Sequence, residues 1–529
     1  MPDSWVRLDN ASNIFLAARS DADPKVFRIS AEVDHDVDPR TLQEALDATY
    51  DRYRLYHAVL RGGMFWYYLQ TSDLRPTVAP EHLPTCAPIY REDRRNLLFR
   101  VVYRRRRIVL EIFHALSDGT GALWFLTDLL DAYLRAQGPA AAAAGAGAGS
   151  GADAGAGTDA GADARESGLP SAPAADPPPA ALDPEPRPSH ELIADSFSHY
   201  FHRGRAPMAQ TDAADPASAA ITVRTRVADR LRARSANGAP RSRVHRIRGT
   251  RTPDNRTRVV ELTMPVQAVL ALARAEQSSL TMYLTALFFR ALRESIGALG
   301  RADTLAASIP INLRQFFPST SARNFFATVR VQHTFSADGT GDDLGSICRD
   351  LEAQFRPKAA PQALERKLRR LIRFERTPLL RVLPRVLKDA ILRLINWGNN
   401  RGLSVAVSNL GRVVLPEPAE SRVGRLLFHV SAVRPQFCAM SHAGQLTVCF
   451  TSPFVETDHV RAFARMLTAS GVDVTVAAAR VTADELAAEP DTGRSAGPVR
   501  GRGGIADLGS RGAGDADPGA RDTDPGAPA

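Results

Sequence analysis

The chain has 529 residues, 44% of them apolar and 24% charged, with a formal net charge of +9. At roughly 100–200 residues per domain this length holds roughly two to four domains, and the apolar share is enough to fill sizeable cores. Four cysteines (Cys86, Cys348, Cys438, Cys449) without C-x-x-C spacing argue against zinc and suit a reducing compartment, and no run approaches the ~20 uncharged apolar residues of a membrane-spanning helix. Met1–Trp5 shows neither a basic n-region nor an apolar h-region, so a cytoplasmic protein is expected.

In chain order, Val26–Val33 reads as a strand, and Asp38-Pro39 opens a helix with Asp as N-cap and Pro in the first turn. Leu42, Leu46, Tyr50 and Tyr53 make its apolar stripe. Asn96–Tyr103 and Ile108–Phe113 read as a hairpin with Arg104–Arg106 at its tip. Ile108, Leu110 and Ile112 share one face, and His114 continues that alternation, so its imidazole leaves the strand end on the apolar side. Asp118 follows in a turn, where Gly119 offers backbone freedom, and Leu123, Leu126, Leu130 and Leu134 then recur at helical spacing. The segment is a strand–loop–helix junction. An imidazole titrates near ~6.5, which makes His114 a candidate general base. The plainer alternative is a core histidine satisfied by a carbonyl, with Asp118 only capping the helix.

Composition divides the rest. Residues 1–138 form a first lobe, and 139–189 are an Ala/Gly/Pro-rich linker expected to be disordered. Residues 190–255 are a partly helical, Arg-rich connection, 256–490 a second lobe, and 491–529 a Gly/Asp/Pro/Arg-rich disordered tail. Between Arg224 and Arg258 stand twelve arginines against two acids, so the net positive charge sits in one stretch. It lacks the interleaved aromatics of a base-stacking surface, and nucleic acid is not an expected partner. The second lobe opens with a strand at Arg258–Leu262 and a helix near Thr281–Ile296. Strands follow near Leu305–Ile309, Ala327–Phe335, Ser404–Val407, Leu426–Val433 and Leu446–Phe450. Leu379–Trp397 is amphipathic, with Arg381, Arg385, Lys388 and Arg393 beside an apolar stripe. It is expected to pack on the protein's own core, with peripheral contact to a membrane surface as the alternative.

His114, Asp118 and Gly119 fit the HxxxDG signature, and in this the chain resembles the chloramphenicol acetyltransferase-like superfamily. That group includes alcohol acetyltransferases, plant BAHD acyltransferases, mycobacterial polyketide-associated acyltransferases and the condensation domains of peptide synthetases. Ile309-Pro310-Ile311-Asn312-Leu313-Arg314 with Asn324-Phe325, and Ser408-Asn409-Leu410-Gly411, resemble further segments of the alcohol acetyltransferase branch. So do Arg7–Ala11 and the aromatic run Phe65–Tyr68. Together the similarity spans about residues 5–137 and 256–470. Many condensation domains carry two adjacent histidines, and here the first is Phe113, which weakens the amide-forming reading.

The resemblance implies a mixed α/β, bilobal chloramphenicol acetyltransferase-like fold, with the histidine in a tunnel between two related lobes. It implies an acyl-CoA-dependent O-acyltransferase passing an acyl group, acetyl among the candidates, to a small-molecule or lipid alcohol. His114 would be the base, Asp118, Gly119 and Arg314 would orient the site through a bidentate Asp118–Arg314 pair, and Ser408 or Asn409 would meet the oxyanion or substrate. No metal and no bound cofactor are expected, acyl-CoA being a co-substrate, and the protein is expected to be monomeric. The alternatives are a non-catalytic interaction module of the same fold and a condensation-type domain acting on carrier-bound acyl groups. Limited proteolysis should cut first within 139–189 and 492–529, and deleting 139–189 should leave folding intact; a deletion variant that fails to fold would undo the two-lobe division.

Overall fold

Two large sheets, a smaller three-stranded one and their helices organise the residues that the computed structural model describes: 5–8, 10–138, 195–201, 244–252, 255–296, 304–336, 339–375 and 384–478. The segments 139–189 and 491–529, residues 224–243 of the Arg-rich stretch, and Leu379–Leu383 lie outside the described residues. The first half runs β1 (Trp5–Arg7), α1 (Asn10–Ala17), β2 (Val26–Val33), α2 (Pro39–Arg52), β3 (Ala58–Gly62), β4 (Tyr67–Thr71), β5 (Ala79–Pro80), β6 (Phe99–Arg104), β7 (Arg107–Phe113) and α3 (Gly119–Gln137). A short helix α4 (Ser196–Phe201) precedes β8 (Arg258–Pro265), α5 (Val266–Ala275), α6 (Leu280–Ile296), β9 (Thr304–Asn312) and β10 (Phe326–Thr334). Next come α7 (Leu344–Ala359), α8 (Pro361–Glu375), α9 (Arg385–Arg401), β11 (Val405–Arg412), α10 (Ala419–Arg422), β12 (Val423–Val430), β13 (Gln436–His442), β14 (Gln445–Ser452), α11 (Asp458–Ala469) and β15 (Thr475–Ala478). No helix among the described residues is long and apolar enough to cross a membrane.

The local signals act as their chemistry dictates. Asp38 caps α2, its carboxylate accepting from Arg40 N at 3.3 Å and Thr41 N at 3.0 Å, and Pro39 occupies the first turn, where no amide is missed. The β6–β7 hairpin pairs Arg104 with Arg107, so its tip is Arg105-Arg106, and Arg105 takes a positive φ of 49° to close it. Nearly all of β2 and β7 is buried, as central strands covered on both faces must be.

Strand order in the first large sheet is β12-β2-β7-β6-β5, and in the second β10-β9-β11-β13-β14-β8-β15. The boundary expected at residue 256 is therefore not a clean cut between lobes. β12 leaves the second half and pairs antiparallel with β2, from Val423 opposite Val33 to Val430 opposite Phe27. It contributes Val423, Leu426 and Phe428 to the core formed with α2 and α3. The other core lies between the seven-stranded sheet and α5, α6, α7, α8 and α11.

A buried charge network links the sheets. Arg107 on β7 donates to both oxygens of Glu261 on β8, at 2.8 and 3.0 Å, and to Glu32 on β2 at 2.6 Å. Arg425 on β12 also donates to Glu32, at 3.0 Å, and to Thr263 on β8, at 3.0 Å. Burial alone would raise the Glu261 carboxyl, but His429 and Arg107 hold it well below the usual carboxylate range. Its stabilising contribution is present at neutral pH and is lost as pH falls below the ordinary carboxylate range.

One expectation fails outright. α9 does not bury its apolar stripe against the core: no residue along it is buried, with Val386 75%, Leu394 65% and Trp397 53% exposed. Polar residues tie it to the protein, Ile391 and Leu392 are half-buried, and Val386, Leu387, Leu394 and Trp397 face outward.

Arg107→Ala should lower the unfolding free energy by about 3 kcal/mol in chemical denaturation, because two carboxylates lose their shared partner. That is the lower end for a broken buried pair, since the Arg107 side chain keeps 22% of its exposure. Arg107→Leu/Glu261→Leu should lose less than the two single changes added together.

Candidate active site

His114 follows directly on β7, and the turn His114–Asp118 carries the chain into α3. Its backbone is fixed from two sides: the amide donates to Lys25 O at 2.8 Å, and the carbonyl accepts from Asn324 Nδ2 at 2.8 Å. The ring lies among aromatics. Phe15 from α1 stacks on it at 3.9 Å between centroids, Phe27 meets it edge-on at 4.9 Å, and Phe326 from β10 stands 5.8 Å away. Phe15 and Phe326 are 5.9 Å apart, so one phenyl ring from each half lines the space beside the imidazole.

This surround decides the protonation state. Burial, which disfavours the charged ring, pushes the His114 pKa down to about 4, against weaker raising effects of a backbone hydrogen bond, Asp118 and Asn324. The imidazole is therefore neutral at physiological pH. Among the described residues its buried Nδ1 has no hydrogen-bond partner, and neither has Asn324 Oδ1. The residue as a whole remains partly exposed. An Nδ1–H donated to Asn324 Oδ1 would satisfy both orphaned atoms and leave Nε2 as the bare, basic nitrogen.

Asp118 combines the two roles that the sequence left open. Its Oδ1 caps α3 by accepting from Gly121 N at 2.9 Å, and its Oδ2 accepts from Arg314 Nη1 at 2.7 Å and from Phe325 N at 2.8 Å. Arg314 lies in a 3-10 turn (Leu313–Gln315) directly after β9, started by Asn312, whose side chain accepts from Arg314 N at 3.0 Å. The pair is not the two-pronged clamp expected of Arg with Asp. One arm of the guanidinium takes the carboxylate, while Nη2 donates to Ser321 O and Arg323 O, each at 2.7 Å. Asn312 Nδ2 reaches Thr120 Oγ1 at 3.2 Å, a second tie between the two motifs.

Gly119 acts differently from expectation, since its φ is not positive. A side chain there would lie 2.8 Å from Leu410 Cδ2, so the glycine leaves room for the Leu410 side chain of β11. Two residues on, a Cβ at Gly121 would collide with the Ala322 carbonyl and the Ser117 hydroxyl. Leu410 thus brings the Ser408–Gly411 segment against the start of α3. Within it Asn409 is committed, Nδ2 donating to Thr281 Oγ1 at 3.0 Å and Oδ1 accepting from Gly411 N at 2.8 Å. The hydroxyl of Ser408, half-buried on the same strand, makes no hydrogen bond among the described residues and is the freer of the two donors.

Asn324, Phe15 and Phe326 escaped the sequence reading as site residues. Asn324-Phe325 stood out only as a resembling dipeptide, and nothing in Asn10–Ala17 marks Phe15 as a neighbour of His114.

No family model and no curated protein matches the sequence. Solved structures match in shape. Polyketide synthase associated protein 5 from Mycobacterium tuberculosis superposes with a TM-score of 0.51 at 14% identity, over 88% of this chain and 98% of its own. TRI3 trichothecene 15-O-acetyltransferase from Fusarium sporotrichioides gives 0.50 at 10% identity, over 88% and 94%. The chain has the chloramphenicol acetyltransferase-like fold. Within that fold, the HxxxDG loop is the junction where both halves meet, locked by Asp118 and Arg314.

Asp118→Asn and Arg314→Gln should each cost about 3–5 kcal/mol in unfolding free energy, because each strands a buried partner. The double variant should lose less than the sum. A thermodynamic cycle with additive losses would show that the two side chains do not act as a pair.

Proposed function

We propose that the protein is an acyl-CoA-dependent O-acyltransferase, of the HxxxDG alcohol acetyltransferase type, with His114 as its general base. The observation that carries this reading is a neutral imidazole, unpaired at the ring, whose backbone is pinned beside the interlobe Asp118–Arg314 lock. An alcohol is a poor nucleophile until its proton is taken up. His114 Nε2 accepts that proton as the alcohol oxygen attacks the thioester carbonyl. The tetrahedral adduct then collapses, the C–S bond breaks, and the imidazolium returns its proton to the departing thiolate.

No covalent acyl-enzyme is needed. Ser117, the hydroxyl within the motif, is turned to Ala322 O at 2.5 Å, and all four cysteines are buried. Ser408 is the proposed donor to the oxyanion, a contact typically worth ~3–4 kcal/mol in such reactions. Asp118 and Arg314 position the loop and take no part in proton transfer. The nearly dry surround lowers the basicity of the ring in the resting protein, and it strengthens every charge interaction once substrate excludes the remaining water.

Release of free CoA across an acyl-CoA and alcohol panel tests the activity directly. His114→Ala should cut turnover by roughly 10²–10⁴-fold with folding intact; near wild-type transfer would remove His114 from the mechanism. The pH profile supplies a second check. With the ring's pKa near 4, kcat/KM should stay flat from pH 8 down through 6, with its acid limb below the ~6.5 of an ordinary imidazole. For stability the sign is the same as for Glu261: the unfolded chain takes up the His114 proton first, so this residue destabilises the fold as pH falls from about 6.5 toward 4.

A further inference from the structure

The face that α9 turns outward has the composition of a buried surface. At 100° per residue, Val386, Leu387, Leu394 and Trp397 fall within about 100° of arc. All four are exposed, Leu387 the least at 49%. Away from that arc, half-buried Leu392 and several polar side chains meet the rest of the protein. Lys388 Nζ lies 3.5 Å from the centre of the Trp66 ring and donates to Phe65 O at 3.1 Å. Asp389 accepts from Tyr67 OH at 2.8 Å, and Arg393 Nε donates to Ala17 O at 3.2 Å. The helix is tied down largely through polar contacts and leaves an apolar arc in solvent, where an ordinary surface helix would turn such an arc inward. The apolar surface continues into the β3–β4 hairpin tip, where Met64 is 75% exposed and whose Met64 carbonyl accepts from Arg385 N at 3.0 Å.

We propose that α9 and this hairpin tip dock the protein on the surface of an anionic lipid bilayer. Charge selects that partner: the helix carries Arg385, Lys388, Arg393 and Arg401 against a single acid, Asp389, which is bonded to Tyr67. Of these, Arg393 and Arg401 are exposed and border the apolar arc, a placement that suits the headgroup–acyl boundary, where long cationic side chains reach phosphates while their stems stay apolar. Trp397 stands at the C-terminal end with the Arg401 guanidinium 3.7 Å above its ring, a pairing of aromatic and cation at home at a membrane interface. At 17 residues with four cations, α9 can lie on a bilayer but not span it. Through Arg393 it rests on α1, the helix whose Phe15 covers His114, so docking would bring the candidate site next to lipid. The proposal does not depend on the acyl-transfer chemistry.

Co-sedimentation of the full chain with phosphatidylcholine vesicles, with and without phosphatidylglycerol, tests it. The wild type should bind the anionic vesicles, and Leu394→Glu/Trp397→Glu should weaken that binding by about tenfold or more, since apolar insertion is replaced by like charge. The melting temperature should not change, because both side chains are already exposed. Unchanged binding in the double variant would assign vesicle affinity to the Arg-rich stretch and overturn the proposal. So would a lowered melting temperature, or a wild-type dimer that the variant turns into a monomer, since either places another part of the protein or a second copy on this face.

Discussion

The carboxylate of Asp118 is the point on which the site turns. It is 5% exposed, and a carboxylate so buried is costly unless donors surround it. Three do, from three parts of the chain: the Gly121 amide on its own helix, the Phe325 amide at the start of β10, and Arg314 after β9. The consequences run in a circuit. Arg314 spends its other arm on Ser321 O and Arg323 O, which sets the path of the loop bearing Asn324; Asn324 in turn holds the His114 carbonyl, four residues before Asp118. Each half of the chain fixes the other's contribution to one loop.

Within that frame the two kinds of surround divide the work. Hydrogen bonds and charge fix the backbone on either side of His114, while phenyl rings set its protonation state by excluding water. A ring held by polar partners at both nitrogens would be well oriented but spent. Here the main chain is anchored and Nε2 makes no hydrogen bond among the described residues, the condition a proton acceptor needs.

Much of the local structure was legible in the sequence. Alternation identified β2, β6 and β7, and Asp38-Pro39 and Asp118 marked helix starts, because these signals act over a few residues and owe little to distant partners. Asp118 with Arg314 was legible only through resemblance, since 196 positions separate them. Three features were not legible, each for a physical reason. Periodicity reports that a helix has an apolar stripe and says nothing about which way it faces, so α9 read as a core helix. A glycine in a turn suggests an unusual φ, yet Gly119 answers to Leu410, which arrives from residue 410. Phe15 reaches His114 by tertiary packing alone, and no local pattern encodes such an encounter.

The crossing of β12 into the first sheet bears on the order in which this chain can be assembled. Arg425 and Glu32 are bonded neighbours separated by 393 positions, and β12 forms the edge of a sheet whose other strands all precede residue 105 or end at Phe113. A nascent chain that has emerged only through α3 holds β2 with one side unpaired and the core beneath it open where Val423, Leu426 and Phe428 belong. Contacts of such long sequence separation close late, after the loop entropy between them has been overcome. The first half is thus a waiting partner during synthesis, with an open strand edge of the kind that recruits other strands until its own arrives.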